Sequence, residues 1–241
     1  MKRKKILLNV PAYNEEANIL KVYKSIVNYN KKYKTKYDVI VINDGSTDNT
    51  YNICKKNKIP TINLIYNLGI GGAVQTGYKY AYNNNYDIAV QFDGDGQHDV
   101  KYIKHIIDPI INKDADMVIG SRFIDKNSSE FKSNRTRRFG ISIISKIIKI
   151  KMKKSIYDTT SGFRAVNKNL IEKFVENYPV EYPEPISVVN VLNEGYIVKE
   201  IPVNMNKRQG GVSSIKKWKS IYYMINVVLS ILIIKKVRKH D

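Results

Sequence analysis

The first 120 residues alternate between two textures. Short runs of β-branched and aliphatic residues, at 6–10, 38–42, 61–66, 87–92 and 117–120, are mostly continuous rather than interleaved with polar positions, which predicts strands covered on both faces. Between them, segments 15–29, 47–56, 70–83 and 100–112 carry apolar residues at intervals of three and four, and STDNT at 46–50 supplies capping oxygens. Those intervals predict amphipathic helices. Strand and helix in regular alternation predict an α/β fold, a mostly parallel doubly wound sheet flanked by helices.

In such a sheet ligands bind beyond the carboxyl ends of the strands. Four polar, mostly glycine-bearing segments fall there: PAYNEE at 11–16, NDGSTDNT at 43–50, NLGIGG at 67–72 and DGDGQHD at 93–99. Turn chemistry alone does not explain four in succession.

The texture changes after residue 120. Segment 121–138 is polar, basic and aperiodic, which predicts a long functional loop. Segment 139–154 sets Ile141, Ile144, Ile147, Ile148 and Met152 among Lys146, Lys149, Lys151, Lys153 and Lys154, a basic amphipathic helix suited to a membrane surface. A turn into a short strand at 157–167, a helix at 184–195 closed by Gly195 and a strand at 196–203 follow. The last segment, 213–240, reads as a helix whose apolar centre, 221–234, is interrupted by Asn226 and Ser230. That centre falls short of the roughly 20 residues that span a bilayer. The helix is therefore expected to lie in the interface, dock on a partner or pack on its own domain. Trp218, Tyr222 and Tyr223 with flanking lysines fit the interface best. The expected organisation is one domain over 1–212, divided into halves 1–120 and 121–212, followed by an amphipathic basic helix at 213–241.

Composition adds charge to this picture. With 43% hydrophobic and 26% charged residues the chain is ordinary for a globular protein, but its net charge is +19. Residues 1–120 carry 17 basic and 12 acidic side chains, residues 121–241 carry 24 and 10, so the basic excess sits in the second half. An anionic partner is implied: nucleic acid, a phosphorylated substrate or a membrane face. The single cysteine, Cys54, excludes an internal disulfide. The MKRKK start imitates a signal peptide, but its apolar run ends at Pro11, short of the roughly 7–15 residues required. A strand, and a cytoplasmic protein peripheral to the inner membrane face, are expected.

The glycines exclude two chemistries. GIGGAV has Val74 where a dinucleotide fingerprint needs its last small residue, and GAVQTG at 72–77 has Tyr78 where a P-loop needs lysine. The remaining reading is tight packing of a helix start against a neighbouring loop. Of the acids, Asp93, Asp95 and Asp99 do not form an EF-hand, because His98 and Lys104 stand where that loop needs Gly and Glu. Asp93 and Asp95, separated only by Gly94, can present carboxylates to one hard divalent cation, Mg²⁺ or Mn²⁺, that also takes phosphate oxygens. Asp99 reads as the N-cap of the following helix. His98 reads as a local hydrogen-bonding residue, and neither it nor His105 as a metal ligand.

These motifs, in this order, resemble the nucleotide-sugar-binding half of family 2 glycosyltransferases with the GT-A (Rossmann-like) fold. GSR at 120–122, DTTSGFRAVN at 158–167, YPEP at 182–185, EIPV at 200–203 and RQGGVSS at 208–214 extend the likeness. They point to the subgroup similar to dolichyl-phosphate mannose synthase and bacterial polyprenyl-phosphate glycosyltransferases. The resemblance implies that Pro11, Tyr13 and Glu15 line the nucleoside, and that Asp44, beside Gly45, holds base or ribose. Gly69 and Gly94 line the donor. Asp93 and Asp95 are the DxD pair, with Asp95 the direct metal ligand, and Gln97 lies by the donor sugar or phosphate. Arg122 and Arg208 bind phosphate groups, and Ser213 and Ser214 belong to a closing loop.

The chemistry supports these residue types independently. Displacing a nucleoside diphosphate from an anomeric carbon builds negative charge on the leaving oxygen opposite an oxocarbenium-like centre. A divalent cation and basic groups stabilise that charge. A hydroxyl acceptor also needs a general base, for which Glu184 and Asp158 are candidates. A lipid monophosphate, anionic near neutral pH, needs cationic clamps instead, for which Arg135, Arg137 and Arg138 stand ready.

The expected function is a metal-dependent inverting transfer of sugar from a nucleotide diphosphate to an undecaprenyl or dolichyl type of polyprenyl phosphate. The expected surroundings are an anionic membrane surface and a small membrane-protein partner. The alternative is direct transfer to a hydroxyl of a cell-surface glycan or lipid-linked oligosaccharide. A more distant one is a basic nucleic-acid-binding module, which the scattered tyrosines and acidic strand ends oppose.

Overall fold

Seven strands form a sheet in the order β3-β2-β1-β4-β6-β5-β7, in a computed structural model that describes residues 4–124, 135–206 and 217–235. The first half follows the predicted alternation: β1 (Ile6–Ala12), α1 (Ile19–Tyr33), β2 (Tyr37–Asp44), α2 (Thr50–Lys56), β3 (Thr61–Leu64), α3 (Gly69–Asn83), β4 (Ile88–Gln91), α4 (Ile103–Ile111) and β5 (Met117–Ser121). β1, β2 and β4 lie in the middle of this half and are almost wholly buried, as their continuous apolar runs require. β3 is different. It is an edge strand that ends at Leu64, and Ile65 and Tyr66, expected within it, project into solvent at 85% and 77% exposure.

α1 begins four residues later than expected. Residues 13–18 are spent on the neighbouring loop instead: Asn14 adopts φ +55° and its Oδ1 accepts from Thr47 N–H at 2.8 Å, while Glu15 N–H donates to Thr50 Oγ1 at 2.8 Å. These pairings join the loops after β1 and β2, and a helix beginning at Glu15 would not leave those groups in place.

In the second half, α5 (Arg135–Met152), β6 (Arg164–Asn167), α6 (Lys168–Glu176), α7 (Pro183–Asn193), β7 (Val198–Pro202) and α8 (Lys217–Ile233) complete the fold. β6 inserts antiparallel between β4 and β5, and β7 adds parallel to β5 at the edge. α6 is an element that periodicity did not single out. Its signal is Asn167, whose side chain caps Leu170 N–H at 3.0 Å, followed by buried Leu170, Ile171 and Phe174.

α5 and α8 change the membrane expectation. Ile141, Ile144 and Ile148, the stripe read as membrane-facing, are 5%, 1% and 0% exposed and belong to the core. α8 packs its Val227 and Ile231 into one cluster with Ile144 and Ile148, so its inner face docks on its own domain. Tyr182, before α7, meets Tyr223 edge-on at 4.7 Å, and Lys151 donates to the Leu232 carbonyl at 2.8 Å. A helix on the outside of an α/β core needs an apolar stripe merely to stay there, which is why the pattern alone pointed two ways. The outward faces still carry Phe139, Ile143 and Ile150 on α5, and Tyr222, Ile225, Leu229, Leu232 and Ile233 on α8. Among the described residues no helix is long and apolar enough to cross a membrane.

Candidate active site

The sheet changes winding direction at β1, which has β2 on one side and β4 on the other. A crevice at the carboxyl ends is expected there, and the chemistry-bearing residues assemble around it. Beyond β4 the chain stays along β1: Phe92 N–H donates to the Asn9 carbonyl at 2.9 Å and Gly94 N–H to the Pro11 carbonyl at 3.1 Å. A Cβ on Gly94 would lie 3.0 Å from that carbonyl oxygen. Glycine at this position lets the two acids pass directly over Pro11 and Ala12, joining the first and fourth motifs.

Asp93 is held from several sides. Gln91 Nε2 donates to its Oδ1 at 3.2 Å, and His98 Nε2 stands 3.5 Å from Oδ2. The main-chain N–H of Asp93 donates to His98 Nδ1 at 3.0 Å. On the remaining side, a Cβ on Gly162 would come within 2.7 Å of Oδ2, so glycine lets the 158–163 turn close here without displacing the carboxylate. Asp95 accepts Gln97 N–H at 3.0 Å, and the Gln97 carbonyl accepts Asn206 N–H at 2.8 Å. His98 is buried, and its desolvation lowers its pKa to about 4, against the opposing pull of Asp95. It is a local hydrogen-bonding residue, as the sequence suggested. Asp99 caps the turn that starts α4 by accepting Lys101 N–H at 3.0 Å.

The second and third loops form the other wall. Asp44 is buried at the end of β2 and accepts Leu68 N–H at 2.8 Å. Burial raises its pKa, opposed by the N–H groups of Leu68 and Gly69. Gly45, at φ +65°, would place a Cβ 2.7 Å from Asn67 N, so it allows these loops to meet. Gly69, at φ +75°, faces open space. Gly71 lies against the carbonyls of Pro179 and Val180, which is the helix-start packing expected of this glycine run. Tyr13 offers a ring that is 46% exposed, whereas Pro11 and Glu15 are buried, and Asn18 donates to Glu15 Oε2 at 2.8 Å.

Arg122 follows β5 and is 9% exposed. Its Nε donates to Asp158 Oδ2 at 2.7 Å and one terminal nitrogen to Oδ1 at 2.8 Å. Burial opposes its charge, but Asp158, with Asp93 nearby, raises its pKa overall. Asp158 is fully buried with both oxygens on the guanidinium. That geometry removes it as a general base, because no carboxylate edge is left for an acceptor hydroxyl. Glu200 supports the pair by accepting the N–H groups of Tyr157 and Asp158 at 2.7 and 2.8 Å. Burial raises the Glu200 pKa, with those N–H groups opposing. Sequence reasoning gave Glu200 no role beyond its place in the EIPV motif at 200–203.

It also missed Arg164, a fully buried guanidinium bonded to the carbonyls of Ser161, Thr159 and Glu184 and to Ser187 Oγ. Arg164 thereby ties the 158–163 turn to the first turn of α7, where Glu184 sits half-buried. Beside Arg122, the Phe123 ring lies 5.3 Å from that guanidinium and 5.8 Å from the exposed guanidinium of Arg138. Arg208, Ser213 and Ser214 lie outside the described residues, as do the side chains of Arg135 and Arg137.

Among the described residues no group of three or more His, Cys, Asp or Glu side chains gathers to hold a metal. Two adjacent carboxylates still fit Mg²⁺ or Mn²⁺, which commonly bind through one or two carboxylates and complete their shell with water and substrate phosphates. The set is all-oxygen and hard, as those ions prefer.

A mostly parallel sheet that carries paired aspartates beyond β4, a buried aspartate at the end of β2 and a buried arginine after β5 fits a GT-A nucleotide-sugar transferase. The chain belongs to glycosyl transferase family 2, whose sequence profile matches residues 8–175. It is 36% identical to UDP-N-acetylglucosamine–dolichyl-phosphate N-acetylglucosaminyltransferase of Methanococcus voltae, over 84% of this chain and 86% of that protein. It is 25% identical to polyprenol monophosphomannose synthase of Mycolicibacterium smegmatis, over 86% and 79%. Among solved structures it shares the fold of glucosyl-3-phosphoglycerate synthase from Mycobacterium tuberculosis in complex with Mn²⁺, uridine diphosphate and phosphoglyceric acid. That match has a TM-score of 0.71 and 16% identity, covering 96% of this chain and 80% of the other.

Proposed function

We propose that this glycosyltransferase moves a sugar from a nucleotide diphosphate to a polyprenyl phosphate at a membrane surface, with inversion. The observation that carries the reading is the juxtaposition at one sheet end of the Asp93–Asp95 pair with the Arg122–Phe123–Arg138 group. Carboxylates suit a cation-bridged diphosphate, and guanidiniums suit an acceptor that is itself a phosphate. The Methanococcus and Mycolicibacterium relatives, named for dolichyl-phosphate and polyprenol substrates, support this acceptor class.

Asp95 and Asp93 would hold Mg²⁺ or Mn²⁺, which when bound supplies charge stabilisation for the departing diphosphate. Asp44 and Tyr13 bound the nucleoside end, with Pro11, Glu15 and Gly45 shaping its wall and Gly69 at its mouth. Gly94 and Gln97 lie on the donor side of the acids. Arg138, with Arg135, receives the acceptor phosphate. Arg122, oriented by Asp158, adds positive potential beside Asp93, and Arg208, Ser213 and Ser214 are assigned to closure over the donor. A phosphate acceptor carries its own nucleophilic oxygen, so Glu184 is not required as a base. Residues 1–120 form the donor half, residues 121–212 the acceptor half and residues 213–241 a helical appendage. The exposed apolar residues of α5 and α8, interspersed with Lys146, Lys149 and Lys153, suit an anionic membrane face and leave room for a small membrane-protein partner.

The test is product formation from a panel of nucleotide sugars with a short-chain polyprenyl phosphate, in Mn²⁺ or in EDTA. A lipid-phosphate sugar formed only with metal is expected. Turnover unaffected by EDTA would remove the metal from the reading, and product on a glycan hydroxyl but never on lipid phosphate would replace the acceptor. Glu184→Gln separates the two acceptors independently, since it should spare transfer to phosphate and abolish transfer to a hydroxyl.

A further inference from the structure

We propose that His98 is a positioning residue for the donor-site carboxylate Asp93, clamping its main chain with one ring nitrogen and facing its carboxylate with the other. The proposal rests on the donor-site reading above and adds a residue that acts through the acid.

The geometry carries the argument. His98 Nδ1 accepts the Asp93 N–H at 3.0 Å. A neutral imidazole has one N–H, so acceptance at Nδ1 places the proton on Nε2. Nε2 stands 3.5 Å from Asp93 Oδ2, long for a hydrogen bond but close enough for an N–H dipole to favour one carboxylate orientation. Gln91 Nε2 addresses the other oxygen, Oδ1, at 3.2 Å, so the two oxygens face different donors.

The imidazole is itself immobilised. Its side chain is 2% exposed, its ring stacks on Phe163 at 4.7 Å and 18°, and it meets Phe92 edge-on at 5.4 Å and 78°. Phe92, just past β4, and Phe163, in the turn before β6, thus build a socket for a ring that holds the acid's main chain and faces its carboxylate. His98 lies five positions after Asp93, and the loop between them contains Asp95, so the clamp also closes the turn presenting the second carboxylate. Partners of this kind, one step out from a ligating group, commonly change metal affinity about 10–100-fold when removed.

Two experiments test the proposal. The chain has three histidines, so nitrogen-15 NMR of the histidine-labelled wild-type protein resolves their tautomers without any variant. A neutral Nε2–H tautomer at His98 is expected, and an Nδ1–H tautomer would overturn the clamp. The second experiment measures calorimetric binding of Mn²⁺ with UDP, and in a parallel arm Mn²⁺ with GDP, to wild type, His98→Phe, His98→Asn, Asp93→Asn and the double variant His98→Phe/Asp93→Asn, with melting temperatures alongside. His98→Phe keeps the aromatic stack and loses both nitrogens. It is expected to weaken metal–nucleotide binding by about tenfold or more, with little added effect in the Asp93→Asn background. His98→Asn, which can return an acceptor to the Asp93 N–H, should recover part of the loss and serves if the phenylalanine variant does not fold. Binding weakened by Asp93→Asn but not by either His98 variant, or losses that add fully in the double variant, would overturn the positioning role alone. Binding unchanged in Asp93→Asn, or absent in wild type with both nucleotides, would overturn the donor-site reading and the proposal with it.

Discussion

The carboxyl end of the sheet and the α5–α8 back of the molecule carry equally clear sequence patterns, yet only one set of patterns predicted its own surroundings. At the sheet end, each motif is confined to a loop of a few residues after a strand, and topology brings those loops together whatever the details of packing. At the back, an apolar stripe with flanking lysines is compatible with core, membrane or partner. The structure gives one answer for Ile141, Ile144, Ile148, Val227 and Ile231, which are core, and leaves a different set outside. Loop chemistry identifies itself through residue type. Amphipathicity only says that some apolar neighbour exists.

The comparison can be broken most severely at the buried ion pair. Asp158→Ala strands the Arg122 guanidinium in a buried site, and a loss of about 3–5 kcal/mol in denaturant-derived stability is expected. A loss below about 1 kcal/mol would mean that the pair contributes little to holding the turn after β5 in place. Asp95→Asn should fold normally and lower kcat by roughly 10²–10³-fold, the scale of removing one stabilising group from a charge-developing site. Near-wild-type turnover would place the chemistry elsewhere.

The pH dependence of stability probes the same end. The folded pKa of His98, about 4, lies below its ordinary value of 6.5. The folded state therefore binds fewer protons in that interval. Its contribution is complete above about pH 6.5 and declines as the pH falls toward 4, by about 3 kcal/mol in all. Urea unfolding in EDTA across that range should show this slope in wild type and a shallower one in His98→Phe.

Paired substitutions sharpen the other side. On α8, Ile231→Ala should cost about 2–4 kcal/mol as a core truncation, whereas Leu229→Ser, on the exposed face, should stay within about 0.5 kcal/mol. If Leu229→Ser nevertheless lowers co-sedimentation with anionic vesicles, the outward face is a lipid contact. Unchanged sedimentation would assign it elsewhere.

Most of the first half was legible because its determinants are local. Continuous apolar runs marked β1, β2 and β4, and a single glycine between two acids marked the turn after β4. Element ends were less legible where loops paired with each other, as at Asn14 and Thr47, or where the sheet ran out, as at Ile65. In the second half, Arg122 and Asp158 were each visible as a charge, but their pairing joins residues 36 apart in sequence. That pairing turned Asp158 from a candidate base into an orienting group. Arg164 looked like one basic residue in a strand, and its burial among carbonyl oxygens became apparent only when the turn, β6 and α7 were placed together.

By itself, then, the sequence determined the winding of the first half, the residue types at the strand ends and the family they belong to, since period and loop composition are properties of short segments. Tertiary structure alone decided which acid is clamped, which arginine is paired, that β6 runs antiparallel between β4 and β5, and which apolar stripe is core. Those outcomes depend on contacts between distant segments, where burial and the partner present, rather than residue type, set what a side chain can do.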